Sequence, residues 1–503
     1  MPVINSMVKL FLSDRMKDID NFSTKPVLTQ SNILQSLLQS ARDTAFGQKY
    51  KFGKIKDSKA FKDQVPLHHY EDFKPYIERL FKGEDNVIWP TPIRWFSKSS
   101  GTTSDKSKFI PISYESLEDN HYKSGKDLMA CYCDANPNSK MFDRGKGLII
   151  GGSHELSRHN DQITFGDLSA VLLQNLPFMA RYFRTPSLET ALLDSWDKKL
   201  EQMAKETLVE NVTQISGVPS WTLVLINKLF EISGKKDLLE LWPNLELYMH
   251  GGVSFTPYKE QYKKIIKSSQ MRYYETYNAS EGFFAFQRFA NDDDMLLLLN
   301  HGIYYEFIPM TEWDKEQPKT LDLTEVKKGH NYAIVISTNS GLWRYIVGDT
   351  VRFTSTFPFK LQVSGRIKHF INAFGEELII ENAEKALAYA CQKSNALVQE
   401  FTAAPIYFSE GESGGHEWLI EFDKAPNSLQ AFTEALDEKL KAVNSDYEAK
   451  RFNNYTIKMP KIQIAPKGLF YKWLKSKGKL GGQHKIPRLS NDRKYLEELL
   501  SMI

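Results

Sequence analysis

Hydrophobic residues fall into three successive rhythms along the chain. Up to about residue 90 apolar positions such as Ile33, Leu34, Leu37 and Leu38 recur at helical spacing, and PLHHYEDFKPYIERL repeats the pattern after Pro66. That periodicity predicts helices. From 91 to about 365 short strand-like runs alternate with helical ones: GLIIGG (147 to 152), ELYMHGG (246 to 252), MRYYETYNASEGFFAFQ (271 to 287), MLLLLN (295 to 300), IYYEFIP (303 to 309), NYAIVIST (331 to 338) and VRFT (351 to 354). The alternation predicts an α/β domain with mixed sheets. Beyond Gly365 and Arg366 the pattern is that of a smaller α+β unit. HFINAFGEELII reads as two short strands about a turn, and IYFSEGESGGHEWLIEF as a hairpin with Gly414 and Gly415 at its tip. Leu429, Phe432, Leu436, Leu440 and Val443, spaced by three and four, mark an amphipathic helix with one buried face. A strand, IQIA, then a helix and a glycine-punctuated tail complete the unit.

Length and composition narrow the class. A chain of 503 residues exceeds what one core usually serves, so at least two domains are expected. An apolar content of 41% with 25% charged residues is that of a globular protein. The 65 Lys and Arg against 62 Asp and Glu leave only +3, with the basic residues scattered, which argues against nucleic acid as partner. One stretch, KWLKSKGKLGGQHKIPR (Lys472 to Arg488), is locally basic. Three cysteines, Cys131, Cys133 and Cys391, supply no disulfide framework and suit a reducing compartment. Cys131 and Cys133 lack zinc-ligand spacing and read as packing residues. The N-terminus reads as an amphipathic helix rather than a signal peptide, and no run reaches transmembrane length, so the expectation is a cytoplasmic protein without membrane contact. His68 and His69, being adjacent, cannot share one helix face as metal ligands and are expected at the surface or as caps. The acidic triplet Asp292 to Asp294 is expected in a hairpin turn.

Four stretches carry candidate chemistry. In KSSGTTSDKSKFIP (Lys98 to Pro111) glycine lets the backbone turn back, and the hydroxyls of Ser99, Ser100, Thr102, Thr103 and Ser104 add donors around an anion. The strand-like IRWFSKS before it and FIPI after it pin both ends, which separates it from an ordinary polar linker; the Walker pattern is absent. YETYNASEGFF places Ser280 and Glu281 at a strand end, where a carboxylate can hold a divalent cation bridging phosphates, or simply face solvent. GLWRYIVGD ends in Gly348 and Asp349; such a carboxylate can accept from two vicinal hydroxyls of a ribose, and Gly-Asp is also an ordinary turn. GKLGGQHKIPRL carries Lys485 beyond two glycines, suited to delivering positive charge to a phosphate when a domain closes, though surface lysines are common.

Taken in order, SSGTTSDKSKFIP, YNASEGFFAF, YYEFIP, GLWRYIVGD, GRIKHFINAFGEEL and HKIPR resemble the auxin-responsive Gretchen Hagen family of acyl-acid amido synthetases, relatives of acyl-adenylate-forming enzymes such as firefly luciferase. The likeness spans almost the whole chain. It implies a large N-terminal nucleotide- and acyl-acid-binding α/β domain (1–366) and a smaller, mobile C-terminal α+β domain (367–503) bearing the catalytic lysine. It implies ATP with Mg2+, a carboxylic acid activated as its adenylate with loss of pyrophosphate, and an amino acid amine that takes the acyl group with loss of AMP. Such chemistry suits the sequence, because a carboxylate is a poor electrophile until an anhydride supplies a leaving group. Matched residue by residue, Ser99, Ser100, Gly101, Thr102, Thr103 and Lys108 form the phosphate loop. Tyr277, Ser280 and Glu281 form a second nucleotide motif with Glu281 as magnesium ligand, and Gly251 and Gly252 the turn against adenosine and the acyl group. Asp349 holds the ribose, Arg366 lies near the hinge, and Lys485 is the catalytic lysine, with Lys479 a second candidate.

Departures from the family pattern fall at Ile346, where many plant members carry arginine, and at Asn278 and Ala279, where a second serine is common before Ser280. Two other functions stay open: an acyl-CoA ligase using the same adenylate, and a catalytically silent relative that binds nucleotide or acyl acid. The partners expected are a small carboxylic acid and an amino acid, acting on a monomer or weak oligomer.

Overall fold

The computed structural model describes all residues except 1, 100–107, 143–144, 152–156, 161, 194–195, 253–254, 256–257, 314, 316, 367–369, 372, 374–375, 377, 408–413, 445–446, 449–450, 452–456, 478–485 and 491–492. The chain divides into two compact units, Met1–Gly252 with Ser268–Gln362, and Val253–Lys267 with Val363–Ile503. Residues 253–267, which the sequence pattern groups with the N-terminal region, cluster with the second unit.

Helices open the first unit as the periodicity predicts. Pro2–Thr24 is followed by Pro26–Ala41, whose Leu34, Leu37 and Leu38 are buried on one face. Tyr70–Phe81 follows Pro66; its first turn carries Glu71 and Asp72, and the His69 N–H donates to the Asp72 carboxylate at 2.7 Å, satisfying a donor that the helix start leaves open. His69 thus sits at a cap. His68 does not: it is 5% exposed, and its Nδ1 lies 2.9 Å from the Trp343 carbonyl. Adjacency excludes a shared helix face, but here the pair straddles a helix start, so the two rings face opposite environments.

Among the described residues the main sheet has eleven strands, in the spatial order Ile303–Pro309, Asn331–Thr338, Tyr345–Thr356, Phe359–Arg366, Met295–Leu297, Gly282–Phe286, Arg272–Ala279, Leu247–Gly251, Val212–Gly217, Lys146–Ile149 and Arg184–Thr185. The last five are parallel and the rest pair antiparallel, so the sheet is mixed, as expected. Helix Lys123–Ala135 covers one face, where Tyr132 meets Tyr274 edge-on at 5.8 Å and packs with Ala130, Cys133, Met141 and Leu247. Cys131 is buried on this helix and burial pushes its thiol up to about 12, which makes it a packing residue rather than a nucleophile. A second sheet pairs Trp95–Ser99 with Lys108–Ile112 antiparallel and with Thr164–Gly166 parallel.

Two readings change. The run 271–287 is a hairpin, Arg272–Ala279 against Gly282–Phe286, with Ser280 and Glu281 as its two-residue turn. Gly348 and Asp349 form no turn; they lie inside the strand Tyr345–Thr356, where Gly348 takes φ +92°. The acidic triplet does lie between strands, and Lys360 reaches Asp292 at 3.0 Å and Asp294 at 3.1 Å.

In the second unit Leu397–Ile406 pairs antiparallel with Gly415–Lys424, which pairs parallel with Lys461–Ala465. Gly415 opens the second strand instead of lying at a tip. Helices Ile380–Ser394 and Leu429–Val443 bury Ala386, Leu387, Phe432, Leu436 and Leu440 against this sheet. No helix among the described residues is long and apolar enough to cross a membrane.

Candidate functional site

In the first unit two buried hydrogen bonds draw distant motifs together. Ser97 lies in the strand that leads into the donor-rich loop, and its Oγ donates to Ser280 Oγ at 2.9 Å. Tyr277, three residues earlier on the same hairpin, donates from Oη to Asp349 Oδ2 at 2.8 Å. The strand that leads into the donor-rich loop, the YNASE turn and the strand of Asp349 are therefore adjacent, although 183 residues separate the first pair and 72 the second. The ring of Tyr277 is set by Phe284, edge-on at 4.9 Å.

The turn bearing Glu281 is fixed from outside the motif. Asn120, fully buried, accepts from the Phe283 N–H at 2.7 Å and donates to the carbonyls of Phe283 and His301 at 3.1 and 3.0 Å. It locks the point where the hairpin register shifts between Phe283 and Ala285. Glu281 itself is half-buried. Among the described residues no group of three or more His, Cys, Asp or Glu could cage a metal ion. A single carboxylate at a turn does fit a magnesium ion whose remaining ligands are phosphate oxygens and water, since that cation keeps several waters and seldom takes an all-protein cage.

Gly251 ends its strand beside Thr276, where an added Cβ would come within 2.4 Å of the Thr276 carbonyl oxygen. Gly252 follows at φ +82°, a conformation that favours glycine. Lys108 begins the strand after the loop, half-buried, with its ammonium 5.7 Å from the ring centroid of Tyr70, whose hydroxyl accepts from the Phe109 N–H at 2.8 Å. Ser99 ends the strand before the loop. Ser100, Gly101, Thr102 and Thr103 lie outside the described residues.

In the second unit Arg366 ends the strand Phe359–Arg366. Lys479 and Lys485 lie outside the described residues, but the chain on either side of them is anchored. Before them, helix Leu469–Ser476 buries Phe470, Trp473 and Leu474, and Trp473 Nε1 donates to Glu498 at 3.0 Å. After them, Arg488 pairs with Glu400 at 2.8 Å, reaches Tyr258 Oη at 3.0 Å and lies over the Phe401 ring at 4.6 Å, while Thr402 Oγ1 donates to the Pro487 carbonyl at 2.6 Å.

Residues 15–271, 296–366 and 381–494 match the GH3 family N-terminal, central and C-terminal domains. The chain belongs to the GH3 family. A relative from Nicotiana attenuata, jasmonoyl-L-amino acid synthetase JAR4, is 26% identical over 91% of this chain and 90% of its own. The solved GH3 structure of AtGH3.15 acyl acid amido synthetase in complex with 2,4-DB superposes with a TM-score of 0.80 at 20% identity, over 97% of this chain and 95% of that one. The fold reaches beyond GH3 proteins: 2-hydroxyisobutyryl-CoA ligase, in the postadenylation state with 2-HIB-AMP, gives a TM-score of 0.61 at 14% identity over 94% and 90%. The expected α/β architecture of the acyl-adenylate-forming enzymes is thereby established.

Three positioning residues of this GH3 chain, Arg344, Glu306 and Asn120, escaped the sequence reading. Arg344, at φ +43°, makes a buried pair with Glu306 at 2.9 Å and also donates to the carbonyls of Lys62 and Val65. His68 exchanges backbone bonds with the same segment, its N–H to the Arg344 carbonyl and its carbonyl from the Ile346 N–H, each at 2.9 Å. These contacts hold the strand of Asp349 against the N-terminal helices. Arg344 and Glu306 do stand inside GLWRYIVGD and YYEFIP, and charges inside apolar strand runs were the available signal. Asn120, the third, lies in a polar stretch that carries no such signal.

Proposed function

We propose that this GH3 protein is an ATP-dependent acyl-acid amido synthetase. It would adenylate a small carboxylic acid with release of pyrophosphate, then pass the acyl group to an amino acid amine with release of AMP. The observation that carries this reading is the buried Tyr277 to Asp349 hydrogen bond, which joins two nucleotide motifs on one sheet. Family membership supports it, as does the name of the synthetase JAR4.

In this reading Asp349, oriented by Tyr277, accepts from the ribose hydroxyls, and Gly251 and Gly252 leave room for adenosine and the acyl group beside the sheet edge. Ser99 to Thr103 and Lys108 cradle the departing phosphates. Glu281 holds Mg2+, which when bound neutralises phosphate charge. Lys485, or Lys479, places a positive charge on the developing transition state, and Arg366 lies near the hinge between a 1–366 domain and a mobile 367–503 domain. The protein would act in the cytoplasm as a monomer or weak oligomer, without membrane or nucleic acid.

Acid-dependent exchange of labelled pyrophosphate into ATP tests the first half-reaction. A panel of aryl, indole and aliphatic acids should include at least one that supports exchange; none doing so, with nucleotide binding intact, would favour a silent relative. The fold shared with 2-hydroxyisobutyryl-CoA ligase supports a second reading in which coenzyme A is the acceptor. Comparing amino acids with coenzyme A in the presence of a competent acid separates the two.

A further inference from the structure

Residues 299–303 join the strand Met295–Leu297 to the strand Ile303–Pro309, and each of their carbonyls is bonded by another part of the chain. Gln30 donates from Nε2 to the carbonyls of Leu299 and Ile303 at 2.8 and 2.9 Å. Lys123 Nζ donates to the Asn300 carbonyl at 2.7 Å, Asn120 Nδ2 to that of His301 at 3.0 Å, and the Asn339 N–H to that of Gly302 at 3.0 Å. A connection whose acceptors are all taken up in this way is fixed in place. Asn120 lies in a π-helical turn, Leu117–Tyr122, that runs directly into the helix bearing Lys123 and Asp127. Side chains three and four residues apart fall on one side of a helix, and here all three reach the 299–303 turn.

Asp127 meets the turn through the ring of its central residue. His301 Nε2 lies 3.0 Å from Asp127 Oδ2, with both side chains fully buried. Arg15, from the N-terminal helix, forks onto the same carboxylate at 2.7 and 3.1 Å. Burial alone would raise the Asp127 carboxyl, but the bonds from His301 and Arg15 outweigh it and hold the group below the ordinary carboxylate range. Burial keeps the His301 ring neutral, with a pKa of about 4. Its proton therefore sits on Nε2, where the ionised carboxylate accepts it.

Asn120 carries this arrangement to the hairpin. The amide that donates to the His301 carbonyl also donates to the Phe283 carbonyl, and its oxygen accepts from the Phe283 N–H, two residues after Glu281. Both of its donor hydrogens and its oxygen are in use, so a shift of the His301 carbonyl costs Asn120 one of its bonds. Building on the amido synthetase reading, we infer that Asp127 and His301 are positioning residues for the adenylation step: their bond sets the 299–303 turn, that turn sets Asn120, and Asn120 holds the Ser280–Glu281 turn in the geometry that receives Mg·ATP.

The test compares wild type, His301→Gln, His301→Leu and Asp127→Leu in pyrophosphate exchange across Mg2+ concentrations, with a urea midpoint for each. Glutamine keeps a donor near the Nε2 position and leucine removes it. The Mg2+ concentration for half-maximal exchange should rise about tenfold in the two leucine variants and stay within about twofold of wild type in His301→Gln. In a Glu281→Gln background His301→Leu should add nothing to the metal requirement, because its effect passes through that carboxylate. Leucine variants with lowered urea midpoints but a wild-type metal requirement would overturn the inference, as would full additivity with Glu281→Gln. Should the buried variants not fold, Arg15→Gln loosens the Asp127 carboxylate from a partly exposed position; the metal requirement should then move in the same direction, and no movement rejects the role. Absence of exchange in wild type counts against the synthetase reading instead. Calorimetric titration of ATP with and without Mg2+ applies even then: the gain in affinity conferred by Mg2+ should shrink in His301→Leu and return in His301→Gln, and an equal gain in all three proteins rejects the positioning role.

Discussion

At the residue scale the roles divide between groups whose positions are described and groups read from motif alone. Glu281 sits at a turn that Asn120 and Ser97 hold from two sides, through the Phe283 N–H and the Ser280 hydroxyl. Replacing it by glutamine keeps shape and removes charge. The expected outcome is a raised Mg2+ requirement for pyrophosphate exchange with an unchanged melting temperature; an unaltered metal titration would remove the assignment. For the tail lysines, Lys485→Ala is expected to slow exchange by roughly 10²- to 10³-fold, the usual effect of losing one preorganised charge on a transition state. Exchange at the wild-type rate would transfer the role to Lys479, and Lys479→Ala in the same assay then decides.

At the element scale the hairpin, the strand of Asp349 and the strand ending at Gly251 work as one assembly. Arg344, held by Glu306, fastens it to the N-terminal helices through the Lys62 and Val65 carbonyls, and removing one partner of such a buried pair would leave the other charge uncompensated. Closer to the site, Gly251→Ala would drive a methyl into the Thr276 carbonyl, which is backbone and cannot rotate away. We expect a loss of about 1 to 3 kcal/mol in stability, with ATP-dependent exchange falling further than stability requires. Urea unfolding combined with exchange kinetics measures both. Gly348→Ala is the contrast: nothing lies near its missing side chain, so its effect should come from φ strain alone. Much of this assembly was legible in the sequence: the alternation of runs gave the strands, and Ser280, Tyr277 and Asp349 were singled out. Their pairing was not legible, because a hydrogen bond across 72 residues leaves no local pattern.

At the scale of the whole molecule, burial of neutral histidines sets the acid limit. His68, His121 and His301 each have pKa values lowered to about 4, chiefly because burial disfavours the imidazolium. The unfolded chain binds these protons near pH 6.5 and the folded one does not, so stability falls as pH drops from about 6.5 towards 4. Between pH 7 and pH 5 each histidine removes about 2 kcal/mol. Glu275, raised to about 7 by burial, acts in the opposite sense over the same range and offsets part of the loss. The net expectation is a decrease in stability, read as the shift in urea midpoint at the two pH values. His121→Gln should flatten the slope, and a stability independent of pH across this range would contradict the account.

The sequence by itself determined the periodicities, and through them the helical N-terminal region, the mixed α/β sheet and the α+β C-terminal unit, because burial on one face imposes a local repeat that a single chain displays. It also determined the ordered motif set that marks the GH3 family. Tertiary structure alone decided that Asp349 lies within a strand rather than a turn, that His68 is buried while His69 caps a helix, and that Asn120 and Arg344 position the site. Each of these depends on which residues distant in the chain become neighbours. That is fixed by the packing of whole elements, where desolvation and hydrogen-bond satisfaction are settled between surfaces rather than along the backbone.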